Sequence, residues 1–417
     1  MNFDRQTQEM FWLGFTSNCG TTCTGSEGDL DTCVYDHIAS IHHADGPDGI
    51  GRRFFTDTGR TQWDLVNLAD NWTIVWLGVG LKERFLDADD GPHPTNVVYV
   101  AKQTNPPSST YFVSVAGTDS KSFFDTLEDF QAHVLLPWPH LKDKPERSHL
   151  DWPEGTPLIS FGFHKGLEMI EEMTSYAGPT GDWPGAYKSL TAFFDDVVER
   201  ALGRVSIITG GHSQGGALSP LVALWLVEMQ PFWDPAGIAD ISCWPFAGPT
   251  PGNKAFADYY DQRVPNTTSV VNKRDIAVRF FNEDDLHELK TLYEVEGEAD
   301  IHPGPRIRHL ADALIVDTKG KGYTRFPQEP FSEQHRVVEL KTVVDITKYL
   351  PPPDQPQPTD PPQTDCWKYT MQAGYQHIQA YFEAVGVDFY DYYPDGSQGK
   401  EFCDINQLTG LCTGAVD

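Results

Sequence analysis

A serine set among closely spaced glycines carries the clearest chemistry in this sequence. Ser213 lies within Gly-Gly-His-Ser-Gln-Gly-Gly at 210–216, after the apolar run 205–209 and before the helix-like run 217–225. This pattern is typical of a strand, a sharp turn and a helix, with the serine at the apex of the turn. The residues beside the serine must be small, because the turn strains the serine backbone. The N–H of Gln214 would lie at the helix N-terminus, where it favours an oxyanion. The pattern predicts acyl transfer through a serine nucleophile; a chance match in a glycine-rich chain is the alternative.

A serine hydroxyl becomes a strong nucleophile only when a histidine accepts its proton and a carboxylate orients that histidine. On strand–turn–helix nucleophile folds, the carboxylate and then the histidine follow the serine along the chain. Asp275 comes just after the apolar run 269–271, at a strand end where catalytic loops of open α/β sheets collect. A solvated aspartate paired with Arg274 is the alternative. Several histidines follow Asp275, and their order alone does not identify the base: His287, His302, His309, His335 and His377.

The middle of the chain alternates between strand-like and helix-like segments. The strand-like segments are 97–102, 111–116, 205–209, 241–246 and 269–271. Residues 186–202 carry apolar side chains at helical spacing with acidic residues between them, which is typical of an amphipathic helix. This alternation predicts an α/β fold with a mostly parallel central sheet and helices on both faces.

The chain is expected to form one domain that spans 1–417, with four distinct segments at its ends or inserted within it. The polar, turn-rich residues 1–60 are predicted to form an N-terminal cap, and 119–158 form a long insertion with apolar side chains. Residues 351–364 are proline-rich and predict a stiff linker. Residues 365–417 are expected to pack back onto the core, because so short a segment rarely sustains a core of its own.

Cysteine placement gives a prediction about the compartment. One cysteine, Cys243, lies in an apolar strand and is expected to be a buried free thiol. The remaining cysteines cluster near the two ends of the chain: Cys19, Cys23, Cys33, Cys366, Cys403 and Cys412. Such clusters favour structural disulfides and an oxidising compartment, with zinc binding by Cys19 and Cys23 as the alternative. A secreted or extracytoplasmic location is therefore expected. Because residues 1–6 show no secretion signal, a cytoplasmic location is the alternative.

The charge balance is strongly acidic, with 31 Lys and Arg against 60 Asp and Glu and a net charge of −29. Such a surface repels phosphate backbones and anionic membranes at long range, so nucleic-acid binding is not expected. The same excess suits a saline habitat, and ordinary acidity of a secreted enzyme is the alternative. No apolar run approaches the ~20 residues needed to span a bilayer, so stable membrane insertion is not expected.

Five motifs follow one another in order along the chain. They are Val-Ala-Gly-Thr-Asp-Ser at 115–120, Phe-His-Lys-Gly-Leu at 163–167, Gly-His-Ser-Gln-Gly-Gly-Ala-Leu at 211–218, Phe-Ala-Gly-Pro-Thr-Pro-Gly-Asn at 246–253 and Asn-Lys-Arg-Asp-Ile at 272–276. Together they resemble the class 3 lipases, the fungal, Rhizomucor-type family of the α/β-hydrolase superfamily. The resemblance covers about 95–285 and implies the α/β-hydrolase fold with lid and terminal insertions.

The resemblance also implies roles for individual residues. Asp275 would be the catalytic acid, and the backbone N–H of Thr118 would join that of Gln214 in the oxyanion hole. Ala116 stands where the family has an arginine, so a salt bridge made by that arginine is absent. Asp129 lies where the family has an aspartate that braces the oxyanion loop, with a solvated helix face as the alternative. The segment 119–158 would hold a lid that contacts a lipid interface transiently; a packed insertion is the alternative.

The histidine is the largest departure from the family pattern. In the family it opens the last helix within Asp-His-x-x-Tyr-Phe, and Gln-His-Ile-Gln-Ala-Tyr-Phe at 376–382 resembles this with one extra residue. Residues 345–349 keep the Asp and Tyr spacing but have Ile346 in the place of the histidine. We therefore predict His377 as the base, with His335 as the main alternative.

These observations predict a serine ester hydrolase, most simply a triacylglycerol lipase that acts through an acyl-enzyme on Ser213. Its substrate would be a lipid or a small-molecule ester, and its chemistry requires neither a metal nor an organic cofactor. A feruloyl or polyester esterase or a phospholipase A1 would use the same three residues. A lipase-shaped binding protein without activity is the alternative of a different class.

Overall fold

The computed structural model describes residues 5–23, 27–42, 71–82, 93–117, 131–141, 152–178, 183–294, 301–326, 336–340 and 365–384. The strands in these ranges are β1 Trp72–Lys82, β2 His93–Gln103, β3 Thr110–Val115, β4 Leu135–Pro137, β5 Leu158–Ser160, β6 Val205–His212, β7 Ala239–Phe246, β8 Thr268–Asn272 and β9 Arg336–Leu340. Seven of them form one sheet in the order β1-β2-β3-β6-β7-β8-β9. The pairs β1–β2 and β2–β3 are antiparallel, and the strands from β3 onward are parallel. The predicted α/β-hydrolase architecture with a mostly parallel sheet is thus confirmed.

The α-helices of the described ranges are α1 Arg5–Thr16, α2 Glu27–His42, α3 Phe161–Glu172, α4 Leu190–Glu199, α5 Gln214–Trp233, α6 Lys254–Arg263, α7 Glu283–Glu288, α8 Pro305–Thr318, α9 Asp365–Gly374 and α10 Ala380–Ala384. Two 3₁₀ segments, Ser17–Thr22 and Ala277–Arg279, and a π-helical turn, Tyr375–Gln379, connect or extend them. No helix in these ranges is both long enough and apolar enough to cross a bilayer.

The sheet separates two apolar clusters, one on each face. Alternate residues of β2 point to opposite sides, so Val98 and Val100 pack in the cluster with α3, α4 and α5, while Val97 and Tyr99 pack in the cluster with α1 and α2. Every residue of β6 except Ser206 is buried, because helices cover both faces of a parallel sheet. The sheet is therefore rigid at its centre, where β6 delivers Ser213.

The amphipathic pattern predicted at 186–202 is present in α4. Four apolar side chains of this helix are buried, and its N-terminus is capped by Ser189, whose Oγ accepts the N–H of Ala192 at 3.2 Å. By contrast, α5 buries residues on nearly every side along its first three turns. This burial holds α5 in place and thereby fixes the turn at residue 213 that precedes it.

The two ends of the described chain pack against each other. On α1, Phe11 and Phe15 lie with ring centroids 5.4 and 4.8 Å from that of Phe382 on α10, and Phe11 stacks on Tyr381. The described parts of the predicted cap and of the C-terminal segment therefore lie on the body of the protein. Their boundaries at 60 and 365 stay predictions, since residues 43–70 and the linker 351–364 are outside the described residues.

The described part of the predicted lid segment is fixed in place. Strand β4 pairs with β5, and Trp138 is fully buried with its indole N–H donating to Glu228 Oε2 at 2.7 Å. Residues 131–141 therefore fit the packed-insertion alternative. Residues 118–130 and 142–151 lie outside the described ranges, so the lid itself stays a prediction.

One disulfide joins Cys23, at the end of the first 3₁₀ segment, to Cys33 on α2, with the Cα atoms 6.0 Å apart. This bond removes Cys23 as a zinc ligand and confirms the prediction of a structural disulfide. Cys243 is buried and free, as predicted, and burial raises the pKa of its thiol to about 11. A protonated thiol of this kind is a packing group rather than a reactive one.

Candidate active site

Ser213 occupies the apex of the turn between β6 and α5. Its backbone has φ 62° and ψ −126°, a conformation that residues other than glycine rarely adopt. Its N–H donates to the carbonyl of Phe246 at 3.1 Å. A Cβ on Gly215 would lie 2.0 Å from the carbonyl oxygen of Val115. The end of β3 therefore crosses directly against the turn, and only glycine fits there.

A hydrogen-bonded chain runs from this serine through a histidine to an aspartate. His377 Nε2 lies 2.9 Å from Ser213 Oγ, and His377 Nδ1 lies 3.0 and 2.9 Å from the two carboxylate oxygens of Asp275. Asp275 is fully buried, and His377 is 7% exposed. With the carboxylate fixing the Nδ1–H tautomer, Nε2 is free to accept the serine proton.

Two further donors hold the carboxylate of Asp275. The N–H of Ala277 donates to Oδ1 at 2.8 Å, and the hydroxyl of Tyr381 donates to Oδ2 at 3.2 Å. Burial, and next the negative charge of Asp275, raise the pKa of Tyr381 well above its usual range. Tyr381 therefore stays protonated at neutral pH and remains a donor.

The extra residue between His377 and Tyr381 is accommodated by the π-helical turn Tyr375–Gln379. A π turn widens one turn of helix by one residue, so the flanking α-helical segments continue in register around the insertion. Both His377 and Tyr381 consequently reach Asp275 despite the altered spacing. The departure noted in the sequence is thus a local change in helix type.

His212 is a site residue that the sequence reasoning did not single out. Its ring is buried, with Nε2 2.8 Å from the backbone carbonyl of His377. Burial, and next the charge of His377, lower the pKa of His212 well below its usual range, so its ring is neutral and Nε2–H donates. The only sequence signal was its position beside Ser213, at the end of β6.

Asn272, the first residue of the motif at 272–276, joins the end of β8 to the segment that carries His377. Its side-chain amide donates to the backbone carbonyl of Gln376 at 2.8 Å, and its N–H donates to the hydroxyl of Tyr381 at 2.9 Å. Asn272 thereby ties the end of β8 to the helix that carries His377, on both sides of that histidine.

The oxyanion region is described in part. Gln214 is the first residue of α5, so its N–H lies at the helix N-terminus beside Ser213. Thr118 and Asp129 lie outside the described residues. The last described residue of that loop is Gly117, whose N–H donates to the side-chain oxygen of Asn18 at 2.6 Å. Ala116, in the place of the family's arginine, is fully buried in the apolar cluster that contains α1.

The other candidate histidines lie elsewhere or are not described. His302 contacts Glu294 at 2.8 Å, while His287 on α7 and His309 on α8 are exposed to solvent. His335 is outside the described residues. Of the predicted residues, the structure therefore brings together Ser213, His377 and Asp275 with Gln214, and their catalytic roles stay predictions.

Comparison with known proteins gives a family match over part of the chain and a structural neighbour with the same fold. Residues 112–284 match the family described as lipase (class 3). The chain is similar to the crystal structure of M37 lipase, with 24% identity, a TM-score of 0.66 and coverage of 96% of this chain and 99% of that one. A triacylglyceride lipase from Rhizomucor miehei is 17% identical, with a TM-score of 0.35 and coverage of 62% and 76%. None of the curated proteins matches the chain.

Proposed function

We propose that the chain is a carboxylic ester hydrolase that works as a triacylglycerol lipase with Ser213 as nucleophile, and the match of residues 112–284 to the class 3 lipase family supports this proposal. The observation that carries this proposal is the continuous hydrogen-bonded path from Ser213 Oγ through His377 to the buried carboxylate of Asp275. Such a path supplies what a serine hydroxyl lacks by itself, a base of fixed tautomer within reach of its proton.

The proposed reaction has two steps. His377 Nε2 takes the proton of Ser213 while Oγ attacks the ester carbonyl, and the backbone N–H of Gln214, with that of Thr118, stabilises the oxyanion. The tetrahedral intermediate collapses, and His377 returns its proton to the departing alcohol. Water then attacks the acyl-enzyme by the same route and releases the acid.

The buried aspartate explains why the histidine can carry charge during these steps. When His377 takes the proton, its positive charge lies within hydrogen-bond distance of both Asp275 oxygens. Ala277 and Tyr381 hold the carboxylate in that position, so little reorganisation accompanies proton transfer.

Two substitutions test the assignment of the base side by side. We expect His377→Ala to lower kcat for p-nitrophenyl butyrate by about 10⁴-fold or more, and His335→Ala to leave kcat unchanged. An organophosphate should label wild-type Ser213 and fail to label Ser213→Ala. A folded wild-type protein that takes no label would favour the inactive, lipase-shaped binding protein.

Activity measured against esters of different acyl-chain length distinguishes a lipase from other ester hydrolases that would use the same three residues. A lipase hydrolyses long-chain esters and gains activity when an emulsion provides an interface, whereas a feruloyl or polyester esterase prefers aryl or polymeric esters without that gain. Release of the sn-1 chain from phosphatidylcholine would instead support a phospholipase A1.

The location of the protein is part of the same proposal. The Cys23–Cys33 disulfide persists in oxidising compartments, which supports a secreted or extracytoplasmic enzyme acting on lipid outside the cytosol. Contact with the lipid interface would be transient and would involve the segment 119–158.

A further inference from the structure

Beside the nucleophile, the two residues that follow strand β3 both have hydrogen-bonded backbone N–H groups. The N–H of Ala116 donates to the carbonyl of Val97 on β2 at 2.8 Å, and the N–H of Gly117 donates to Asn18 Oδ1 at 2.6 Å. The first bond continues the sheet, but the second comes from a side chain ninety-nine residues earlier in the sequence. The position of the Gly117 backbone at the end of β3 is therefore set in part by Asn18.

Gly117 lies against the catalytic turn itself. A Cβ built on it would be 3.0 Å from the carbonyl oxygen of His212, 3.3 Å from Ser213 Cβ and 3.4 Å from Asn18 Oδ1. Asn18 and the nucleophile thus approach the same point in space from two sides. A shift of Gly117 would move the backbone next to Ser213, where ångström displacements change rates strongly.

Asn18 is itself held rigidly. It is 9% exposed and belongs to the 3₁₀ segment that follows α1, and Thr21 Oγ1 donates to its carbonyl at 2.7 Å. The end of α1 is bonded to the sheet, because Tyr99 Oη and Ser114 Oγ both donate to the carbonyl of Leu13, at 2.6 and 2.8 Å. On its other side, the 3₁₀ segment leads into the disulfide at Cys23.

The chemistry of the amide fixes its orientation. Since the Gly117 backbone group is a donor, the atom facing it must be the acceptor Oδ1, and the Nδ2 donor necessarily points away. A neutral acceptor at this position binds the N–H without adding negative charge near the place where the substrate oxygen becomes negative. A carboxylate would bind the same N–H but oppose the oxyanion.

We infer that Asn18 is a positioning residue of the oxyanion hole, supplied by the N-terminal helices from outside the region that matches the lipase family. It fixes Gly117, the residue that precedes Thr118, whose N–H is the predicted second oxyanion donor. The inference rests on the proposed ester hydrolysis and adds to it a residue that acts through Gly117 and does not touch the substrate.

Two variants at this position separate a positioning role from a purely structural one. We expect Asn18→Ala to lower kcat roughly 10- to 100-fold with KM within about twofold, because the oxyanion forms only in the transition state. Asn18→Asp keeps an acceptor for Gly117 but introduces a charge. The ratio of its kcat to that of the wild type should rise as the pH falls and the introduced carboxyl becomes neutral. A structural role alone predicts no such pH dependence.

The hydrogen bond can be followed without activity. Hydrogen exchange at the Gly117 amide should accelerate in Asn18→Ala and stay slow in Asn18→Asp. The matched control is Thr16→Val, which removes a buried hydrogen bond at the adjacent end of α1, that from Thr16 Oγ1 to the Trp12 carbonyl at 2.6 Å. This control should lose similar stability and keep the wild-type kcat.

The outcomes distinguish this inference from the proposed function. Wild-type kcat in a folded Asn18→Ala protein overturns the inference while leaving ester hydrolysis intact. If Asn18→Ala does not fold, a pH-independent ratio for Asn18→Asp overturns it. If the wild type hydrolyses no ester, the proposed function fails, and unchanged exchange at the Gly117 amide in Asn18→Ala would still overturn the role of Asn18.

Discussion

At the scale of single residues, Tyr381 offers a test of how the carboxylate is held. Tyr381→Phe removes the hydroxyl that donates to Asp275 and accepts the N–H of Asn272. We expect kcat to fall roughly 10- to 100-fold, because a hydrogen bond to a charged group is worth about 1.5–3 kcal/mol. Steady-state kinetics with a soluble ester measures this effect.

The control for that substitution lies in the preceding helix. Tyr369→Phe removes an equally buried hydroxyl, which donates to the carbonyl of Leu289 at 2.6 Å. It should cost about 1 kcal/mol of unfolding free energy and leave kcat unaltered. Equal losses of kcat in both variants would contradict a specific role for Tyr381.

The buried imidazole of His212 makes stability depend on pH. Its pKa is lowered in the folded state, so its contribution is present above the unfolded pKa of about 6.5 and is lost as the pH falls below that value. We expect His212→Asn to flatten the decline of the unfolding free energy between pH 6.5 and pH 5, as measured by urea denaturation. The same substitution at the exposed His309 should leave the decline in place, and an identical slope in His212→Asn would refute the expectation.

At the scale of elements, the turn between β6 and α5 depends on the absence of a side chain at Gly215. A methyl group there would meet the Val115 carbonyl oxygen at 2.0 Å, and the next nearest atoms, the carbonyl carbon and oxygen of Ala116, are also backbone. Gly215→Ala should therefore destabilise the protein by more than about 4 kcal/mol. Gly203→Ala, where nothing lies within 4 Å of the added carbon, should change stability by less than about 1 kcal/mol. Thermal melts of the two variants compare them directly, and similar midpoints would contradict the close crossing of β3.

The same elements show what sequence can and cannot predict. The strand, turn and helix around Ser213 were readable because glycine, β-branched and apolar residues occur in a fixed local order. Asp275 was readable because it follows a strand end directly. The hydrogen bonds made by Asn18 and His212 were not readable, since they join segments far apart in the chain and leave no periodic signal. The spacing between His377 and Tyr381 differed from the family pattern because a π turn cannot be predicted from the sequence pattern.

At the scale of the whole molecule, the net charge of −29 should make stability depend on salt. Self-repulsion acts over about 30 Å at 0.01 M salt but only about 3 Å at 1 M, so added salt relieves it. We expect the melting temperature to rise by several degrees between about 0.01 M and 0.5 M NaCl, as measured by calorimetry. A flat response would remove the argument for a saline habitat. Sodium sulfate at equal ionic strength distinguishes screening from effects of the individual ion.

The meeting of Phe11 and Phe15 with Phe382 has a consequence for biosynthesis. A growing polypeptide emerges from the ribosome with its first helices exposed long before the segment that covers their aromatic faces has been made. Contacts between residues so far apart in the sequence slow folding, and the apolar surface that stays exposed in the meantime is prone to aggregation. Because His377 lies in the same late segment, the proposed hydrolytic site can assemble only after residues 365–384 have been synthesised.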